Sequence, residues 1–201
     1  MKLSKGVFWI LGIVAVLIIP GIMAMSYHNK AVGMDEKVSA SWSQVLNQYK
    51  RRSDLIPNLV STVKGYASHE KDVLTQVTEA RAKVGQMQLS PQILNDPGSF
   101  AAFEKNQGAL TSALSRLMLV VERYPDLKAN QNFLSLQSQL EGTENRISVA
   151  RRDYIEVVRA FNTMLRRFPA KFFLSVTDGE LEPKPTFSIS EAETKIPEVA
   201  F

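Results

Sequence analysis

The stretch WSQVLNQYKRRSDLIPNLVSTVKGYASHE, residues 42–70, decides the fold class. Its apolar side chains recur in alternating steps of four and three, through Trp42, Val45, Tyr49, Ile56, Leu59, Val63 and Tyr66. That is the period of one helix face, whereas a strand would need strict alternation. Working outward, Val38 precedes the seam in register, and Val73, Val77, Ala80 and Val84 continue it. Arg52 and Glu70 are the polar members. Pro57 removes a backbone donor and crowds the turn before it, so a kink or break is expected near residues 53–57, with Asp54 available to cap a restarted helix.

Turn chemistry then intervenes. Ser90-Pro91 and Asn95-Asp96-Pro97-Gly98 mark a loop, and Ser99 is the expected N-cap of a second helix. Its seam runs Phe100, Phe103, Leu110, Leu114, Leu117, Val121 and Tyr124, and Pro125 closes it. A third helix is expected from Leu127 to Phe168, carrying Phe133, Leu136, Leu140, Ile147, Ala150, Tyr154, Val157, Phe161, Met164 and Phe168 in one register. Gly142 in its middle costs about 1 kcal/mol relative to Ala and marks a second weak point. The expectation is an all-α chain, an antiparallel up-down bundle of three long helices, or four if broken at Pro57 or Gly142.

Upstream, residues 7–25 read VFWILGIVAVLIIPGIMAM without a charge. Nineteen residues of helix span about 28 Å, close to the thickness of a hydrocarbon core. Lys2 and Lys5 precede the run, and Tyr27, His28 and Lys30 follow it, placing cationic and aromatic groups at headgroup level. The run is long for a cleaved leader and Met23-Ala24-Met25-Ser26 is a poor cleavage site, so an N-terminal transmembrane helix is expected. The expected layout is a short basic N-terminus at 1–6, the transmembrane helix at 7–25, a juxtamembrane segment at 26–37, the bundle at 38–169 and a mostly irregular tail at 170–201 with Pro183, Pro185 and Pro197. Lys2 and Lys5, nearly balanced by Lys30 and Lys37, favour a cytoplasmic N-terminus and an extracytoplasmic bundle.

Composition excludes several classes. With 22% charged and 45% hydrophobic residues among 201, the chain is not disordered. Lys and Arg number 24 against 20 Asp and Glu, too balanced for a concentrated basic stripe, so no nucleic-acid partner is expected. No cysteine is present, which removes disulfides, thiolate metal sites and a cysteine nucleophile.

Candidate chemistry is sparse. His69-Glu70 resembles the start of a zinc-helix motif, but Val73 stands where a second histidine would be needed and His28 is the one other histidine. Glu141 with Glu144, and Asp35 with Glu36, read as ordinary surface pairs. Gly65, Gly85 and Gly108 stand alone, outside any phosphate loop. Lys50-Arg51-Arg52, Arg151-Arg152 and Arg166-Arg167 are isolated basic clusters, better read as solvated faces than as one anionic-lipid stripe. Arg52 differs because it occupies the seam. A buried guanidinium needs a partner, and Asp54, Glu122 and Glu144 are the candidates. No catalytic, cofactor-binding or metal site is expected, and no cofactor.

Four segments together resemble the LemA family: Trp42–Glu70 quoted above, ERYPDLKANQNFLSLQSQLEGTENRISVARRDY (Glu122–Tyr154), FNTMLRRFP (Phe161–Pro169) and IPEVAF (Ile196–Phe201). Ile155 departs from the pattern, which has Asn after that tyrosine. The resemblance implies a bromodomain-like four-helix bundle on a bacterial membrane protein with one N-terminal membrane helix. It implies no agreed enzymatic activity and a connection with envelope function. The expected role is therefore a non-enzymatic interaction, scaffolding or assembly factor in the bacterial inner membrane, held in the bilayer through residues 7–25 and partnered by itself or an envelope protein. The alternative is a sensor or accessory subunit in which binding in the bundle is coupled to the membrane.

Overall fold

A computed structural model describes residues 5–87, 90–177 and 181–187; the side chains of residues 5, 7, 8, 10, 11, 13, 15 and 17 lie outside that description. The helices are α1 (Lys5–Tyr66), α2 (Lys71–Gly85), α3 (Pro97–Val121), α4 (Pro125–Lys128), α5 (Gln131–Arg166) and α6 (Ala170–Thr177), with a 3-10 turn at Pro91–Asn95. No strand occurs among the described residues. The chain divides into two compact units, Met1–Ala40 with Glu156–Lys184 and Ser41–Ile155 with Pro185–Phe201.

The larger unit is a four-helix bundle. Trp42 packs on Phe100 and Phe103, and Arg52 bonds to Gln107 and Thr111, so α1 and α3 run the same way. Tyr154 beside Trp42 and Glu144 beside Arg52 make α5 antiparallel to them. Arg116 donates to Gln76, and Arg123 to Glu70, which sets α2 against α3. The order is up-down-up-down rather than the three-helix expectation, yet neither anticipated break occurs. The first seam instead ends at Tyr66, and a corner at Ala67–Glu70 sends α2 back along it. Gly65, Ser68 and His69 are weak helix formers, while Ala67 is small enough to be buried at the corner. The reversal shifts the register, leaving Tyr66 exposed and burying Leu74.

Why α1 survives Pro57 is visible one turn earlier. A proline at 57 leaves the carbonyl of Ser53 without its intrahelical donor. Arg81 of α2 supplies one, donating its Nε–H to the Ser53 carbonyl at 3.0 Å. The proline ring faces outward, so its bulk displaces no core side chain. At Gly142, α5 continues because its flanking turns are anchored by buried Leu140, Thr143 and Ile147.

Other expectations are corrected in detail. Asp96, not Ser99, caps α3, accepting from the Gly98 and Ser99 N–H groups at 2.9 and 3.1 Å, with Pro97 as the first helical residue. The Ser99 hydroxyl and these two amides hold the Asp96 carboxyl below the usual carboxylate range. The third helix begins as the single turn α4 and restarts at Gln131, where the Asn130 side chain accepts from the Phe133 N–H. Within the tail expected at 170–201, residues 170–177 form α6 and 181–187 are without regular structure, while 178–180 and 188–201, with Pro197, lie outside the described residues. Residues 26–37 are helical, within α1.

An aliphatic core of Ile56, Leu59, Val63, Val77, Leu110, Leu117 and Leu140 fills one half of the larger unit. Trp42, Tyr49, Phe100, Phe103, Tyr154 and Phe187 fill the other. In the smaller unit, Ala31, Met164, Ala170 and Leu174 pack with Tyr27, Met34, Leu165 and Leu181. Asn162 exchanges two hydrogen bonds with the backbone of Lys184, each 2.9 Å, and Lys184 pairs with Asp35 at 3.3 Å. Among the described residues no helix is long and apolar enough to cross a membrane. Much of the 7–25 run consists of residues whose side chains lie outside the described set.

The Arg81–Ser53 contact yields a test. Arg81→Leu lowers the stability of the full chain in micelles by about 1–2 kcal/mol. In a Pro57→Ala background, where the helix supplies its own donor, the same change costs less than half as much. Equal costs in both backgrounds would show that the arginine does something else.

Candidate functional site

Three seams each carry a polar interruption, and the fold brings them to one level. Arg52 lies between Tyr49 and Ile56 on α1, Gln107 between Phe103 and Leu110 on α3, and Thr143 and Glu144 between Leu140 and Ile147 on α5. Arg52 is only 1% exposed. Its Nη1 donates to Glu144 Oε1 at 2.7 Å and to Thr111 Oγ1 at 2.9 Å. Nη2 donates to Gln107 Oε1 at 2.6 Å and, at 3.4 Å, to the Gln107 carbonyl. The guanidinium also lies over the Tyr49 ring, 5.1 Å from its centroid. One charge is thus shared among acceptors from two helices and an aromatic face.

The partners are themselves held. Thr111 donates its hydroxyl to the Gln107 carbonyl at 3.1 Å, and Thr143 donates to the Gln139 carbonyl at 2.7 Å. Glu144 is the outlet to solvent, its side chain 43% exposed. A cleft of about 510 Å³ opens beside this cluster, lined among others by Tyr49, Arg52, Glu104, Gln107, Glu144 and Arg151. Arg151 caps Phe187 at 4.2 Å from the ring centroid. Burial pushes the Tyr49 phenol up, partly offset by Arg151 and Arg52.

Phe187 comes from the tail and seals the aromatic half, its ring centroid 5.2 Å from Phe100, 5.6 Å from Tyr154 and 6.0 Å from Trp42. Tyr154 donates its hydroxyl to the Pro185 carbonyl at 2.8 Å, tying the tail down. Burial raises the Tyr154 phenol well above its ordinary value of 10.0.

Of the three partners expected for Arg52, Glu144 is the one the fold supplies. Glu122 pairs with Lys128, and Asp54 is exposed. Glu70 accepts from Arg123 at 2.9 Å and from the Tyr124 hydroxyl at 3.1 Å, clipping the α1–α2 corner to the end of α3. His69 is exposed, and no group of three or more His, Cys, Asp or Glu residues fit to hold a metal occurs among the described residues. Glu141 accepts from Gln137 rather than joining Glu144 in a carboxylate pair. Gln107 and Phe187 escaped the sequence reading. For Gln107 the signal was present, because the α3 seam skips from Phe103 to Leu110 and the vacant step falls on 107.

The polar layer ties α1 to α3 and α5 through Arg52, whose guanidinium takes up the Glu144 carboxylate. The comparisons agree on a family, whose model, described as LemA family, matches residues 41–201. The chain belongs to the LemA family.

Magnetosome protein MamQ 2 of Paramagnetospirillum magneticum is 26% identical over 194 residues, covering 88% of this chain and 71% of that protein. Magnetosome protein MamQ of Magnetospirillum gryphiswaldense is 25% identical over 166 residues, 75% of this chain and 61% of its own. Protein LemA of Metamycoplasma hominis is 24% identical over 119 residues, 59% and 50% respectively. The LemA match begins at residue 41, so it takes in the polar layer and the tail and leaves residues 7–25 outside.

Two outcomes test this LemA-family layer. Glu144→Ala strands a buried cation and lowers stability by about 1–2 kcal/mol, a figure moderated by the partial exposure of the carboxylate. In an Arg52→Met background the same change costs under about 0.5 kcal/mol, and additive costs would sink the pairing. The raised Tyr154 phenol gives the second. A folded-state value above the unfolded one contributes stability that is complete below about pH 10 and lost as pH rises. Thermal melts from pH 8 to 11 should show that decline, and Tyr154→Phe, less stable at pH 8, should show a shallower one.

Proposed function

We propose that this LemA-family chain is a single-pass inner-membrane protein, anchored through residues 7–25, whose bundle acts as a non-enzymatic interaction or assembly factor in the bacterial envelope. The observation that supports an anchor is the exposure of the first part of α1 around its circumference. Trp9, Val16, Ile18, Ile19, Ile22 and Met25 are all exposed, and apolar side chains exposed on several sides of one helix are a liability in water. Together with the charge-free run from 7 to 25, it favours lipid as the surrounding medium. The polar layer supports a structural role for the bundle, because its one buried cation is taken up by Glu144, Gln107 and Thr111. The relatives named for the magnetosome favour a place in an assembled cellular structure.

The second reading is a sensor or accessory subunit. It draws on the cleft beside Arg52, where a half-exposed carboxylate and a buried guanidinium are within reach of a small polar ligand. Screening polar metabolites for a thermal shift that disappears in Glu144→Ala would favour it.

The principal test is topology with crosslinking. Spheroplasts carrying a C-terminally tagged full-length chain are treated with protease, and membranes are washed with alkaline carbonate. Retention in the carbonate pellet with loss of the tag from intact spheroplasts is the expected result, with the N-terminus in the cytoplasm. A tag protected until lysis reverses the orientation, and release by carbonate removes the anchor. Amine-reactive crosslinking in the same membranes should give a ladder or a defined heteromeric band; a strictly monomeric pattern would count against assembly.

A further inference from the structure

The short helix α6 is apolar on two sides. One side packs within the smaller unit, where Ala170 and Leu174 are buried with Ala31 and Met164 and the Phe173 ring stacks on Tyr27 at 5.7 Å and 9°. The other side is not covered. Phe172 and Val176 stand one helical turn apart on α6 and are 59% and 75% exposed, while Phe168, 87% exposed, lies in the non-helical turn that precedes the helix. Two large apolar side chains in one row on α6, with a third exposed in the adjoining turn, form an apolar stripe unlike the single exposed residues normal on a surface.

The position of α6 along α1 suggests what covers the stripe. Tyr27, which carries the Phe173 stack, lies two residues beyond Met25, where the charge-free run ends; Met34, packed against the cluster that contains Ala170 and Leu174, lies nine beyond. At about 1.5 Å per residue, α6 is held against α1 from roughly 3 to 14 Å past the end of the run. If residues 7–25 fill the hydrocarbon, that interval begins in the headgroup layer, the depth at which interfacial helices bury an apolar face. Charge points the same way. A cleft of about 530 Å³ beside α6 is lined by Lys30 and Arg167 together with Tyr27, Thr163 and Phe168, and no acidic residue lines it among those described. Arg166 and Lys171 are exposed nearby in sequence. Guanidinium and ammonium groups flanked by a tyrosine suit a phosphate monoanion at a water–lipid boundary.

We propose that α6 is an interfacial lipid-binding helix: Phe168, Phe172 and Val176 enter the headgroup–acyl boundary, and the cleft between Lys30 and Arg167 takes the phosphate of an anionic phospholipid. The inference rests on the anchored reading and adds to it a second membrane contact, remote in sequence from the first. The anchor alone leaves α1 free to tilt and rotate about its axis. A lipid-seated α6, packed on one face of α1, fixes which side of that helix meets the membrane surface.

The cysteine-free sequence makes the test direct. Single cysteines replace Ile18 or Val176 in the full-length chain, and each variant is labelled with an environment-sensitive nitrobenzoxadiazole dye. The chain is reconstituted in phosphatidylcholine vesicles with or without phosphatidylglycerol. Quenching is measured with aqueous iodide and with lipids carrying a nitroxide at shallow or deep positions. The expected result is deep quenching at 18 and shallow lipid quenching at 176, with iodide ineffective at both. A nitroxide phosphatidylglycerol should quench position 176 better than the phosphatidylcholine analogue, and each of Lys30→Gln and Arg167→Gln should reduce that preference about fivefold. Deep quenching at 18 with iodide access at 176 overturns the inference and leaves the anchor standing. Shielding of 176 from both lipid and iodide assigns the stripe to a second copy or another protein and also overturns it. Absence of lipid quenching at 18 removes the anchored reading, and the inference with it. An unchanged preference in both charge variants removes the phosphate site.

Discussion

The larger unit is organised around one buried positive charge. A guanidinium taken out of water is tolerable only where its donors meet acceptors at the right distance, and Arg52 finds them on α3 and α5 simultaneously. Sliding any of these helices by one turn would move it about 5 Å, moving Gln107 or Glu144 out of reach while keeping apolar groups in contact. Aliphatic and aromatic halves would tolerate such a slip, because Leu can meet Leu in several registers. The polar layer between them would not. Its contribution is registry, the best-attested use of a buried polar group in a helical bundle, rather than net stability.

A second polar contact does the same for the hairpin. Pro57 alone would weaken α1, and Arg81 alone would be a surface cation. Together they join the defect in one helix to the next helix, since the freed carbonyl of Ser53 is the acceptor that Arg81 uses. Glu70 does this at the opposite end through Arg123 and Tyr124. The four helices are therefore indexed by polar groups at two levels, around Arg52–Ser53 and at the Glu70 corner, with apolar packing supplying the bulk of the free energy between them.

Much of this was legible in the residues and some was not. The all-helical class followed from three seams of one period, and the need of Arg52 for a buried partner followed from a charge standing where an apolar residue was due, with Glu144 one of three candidates for it. The corner at Ala67–Glu70 was misread because the seam carries straight through it, and both arms of a hairpin bury the same face. Local pattern cannot distinguish one long helix from two that fold back when the turn lacks Pro or a left-handed Gly. Pro57 misled for the opposite reason, since its local cost is met by Arg81, a residue 24 positions away. Phe187 gave no periodic signal, being one aromatic in an extended tail. It is found only when the aromatic half has been assembled and Trp42, Phe100 and Tyr154 leave space for one more ring.

The same reasoning separates what the molecule uses to hold itself together from what it leaves over. Inside the bundle, both terminal nitrogens of Arg52 are taken up by Glu144, Gln107 and Thr111, so the layer joins α1 to α3 and α5. What remains conspicuous lies outside: the exposed apolar side chains around the first part of α1 and the second apolar side of α6. Water disfavours both, and packing within the smaller unit leaves both exposed. Exposed apolar surface on two helices joined by the Tyr27–Phe173 stack is harder to regard as incidental than either surface alone. One apolar medium meeting both would explain why α6 leaves Phe172 and Val176 exposed, and why Lys30 and Arg167 stand where that medium would end.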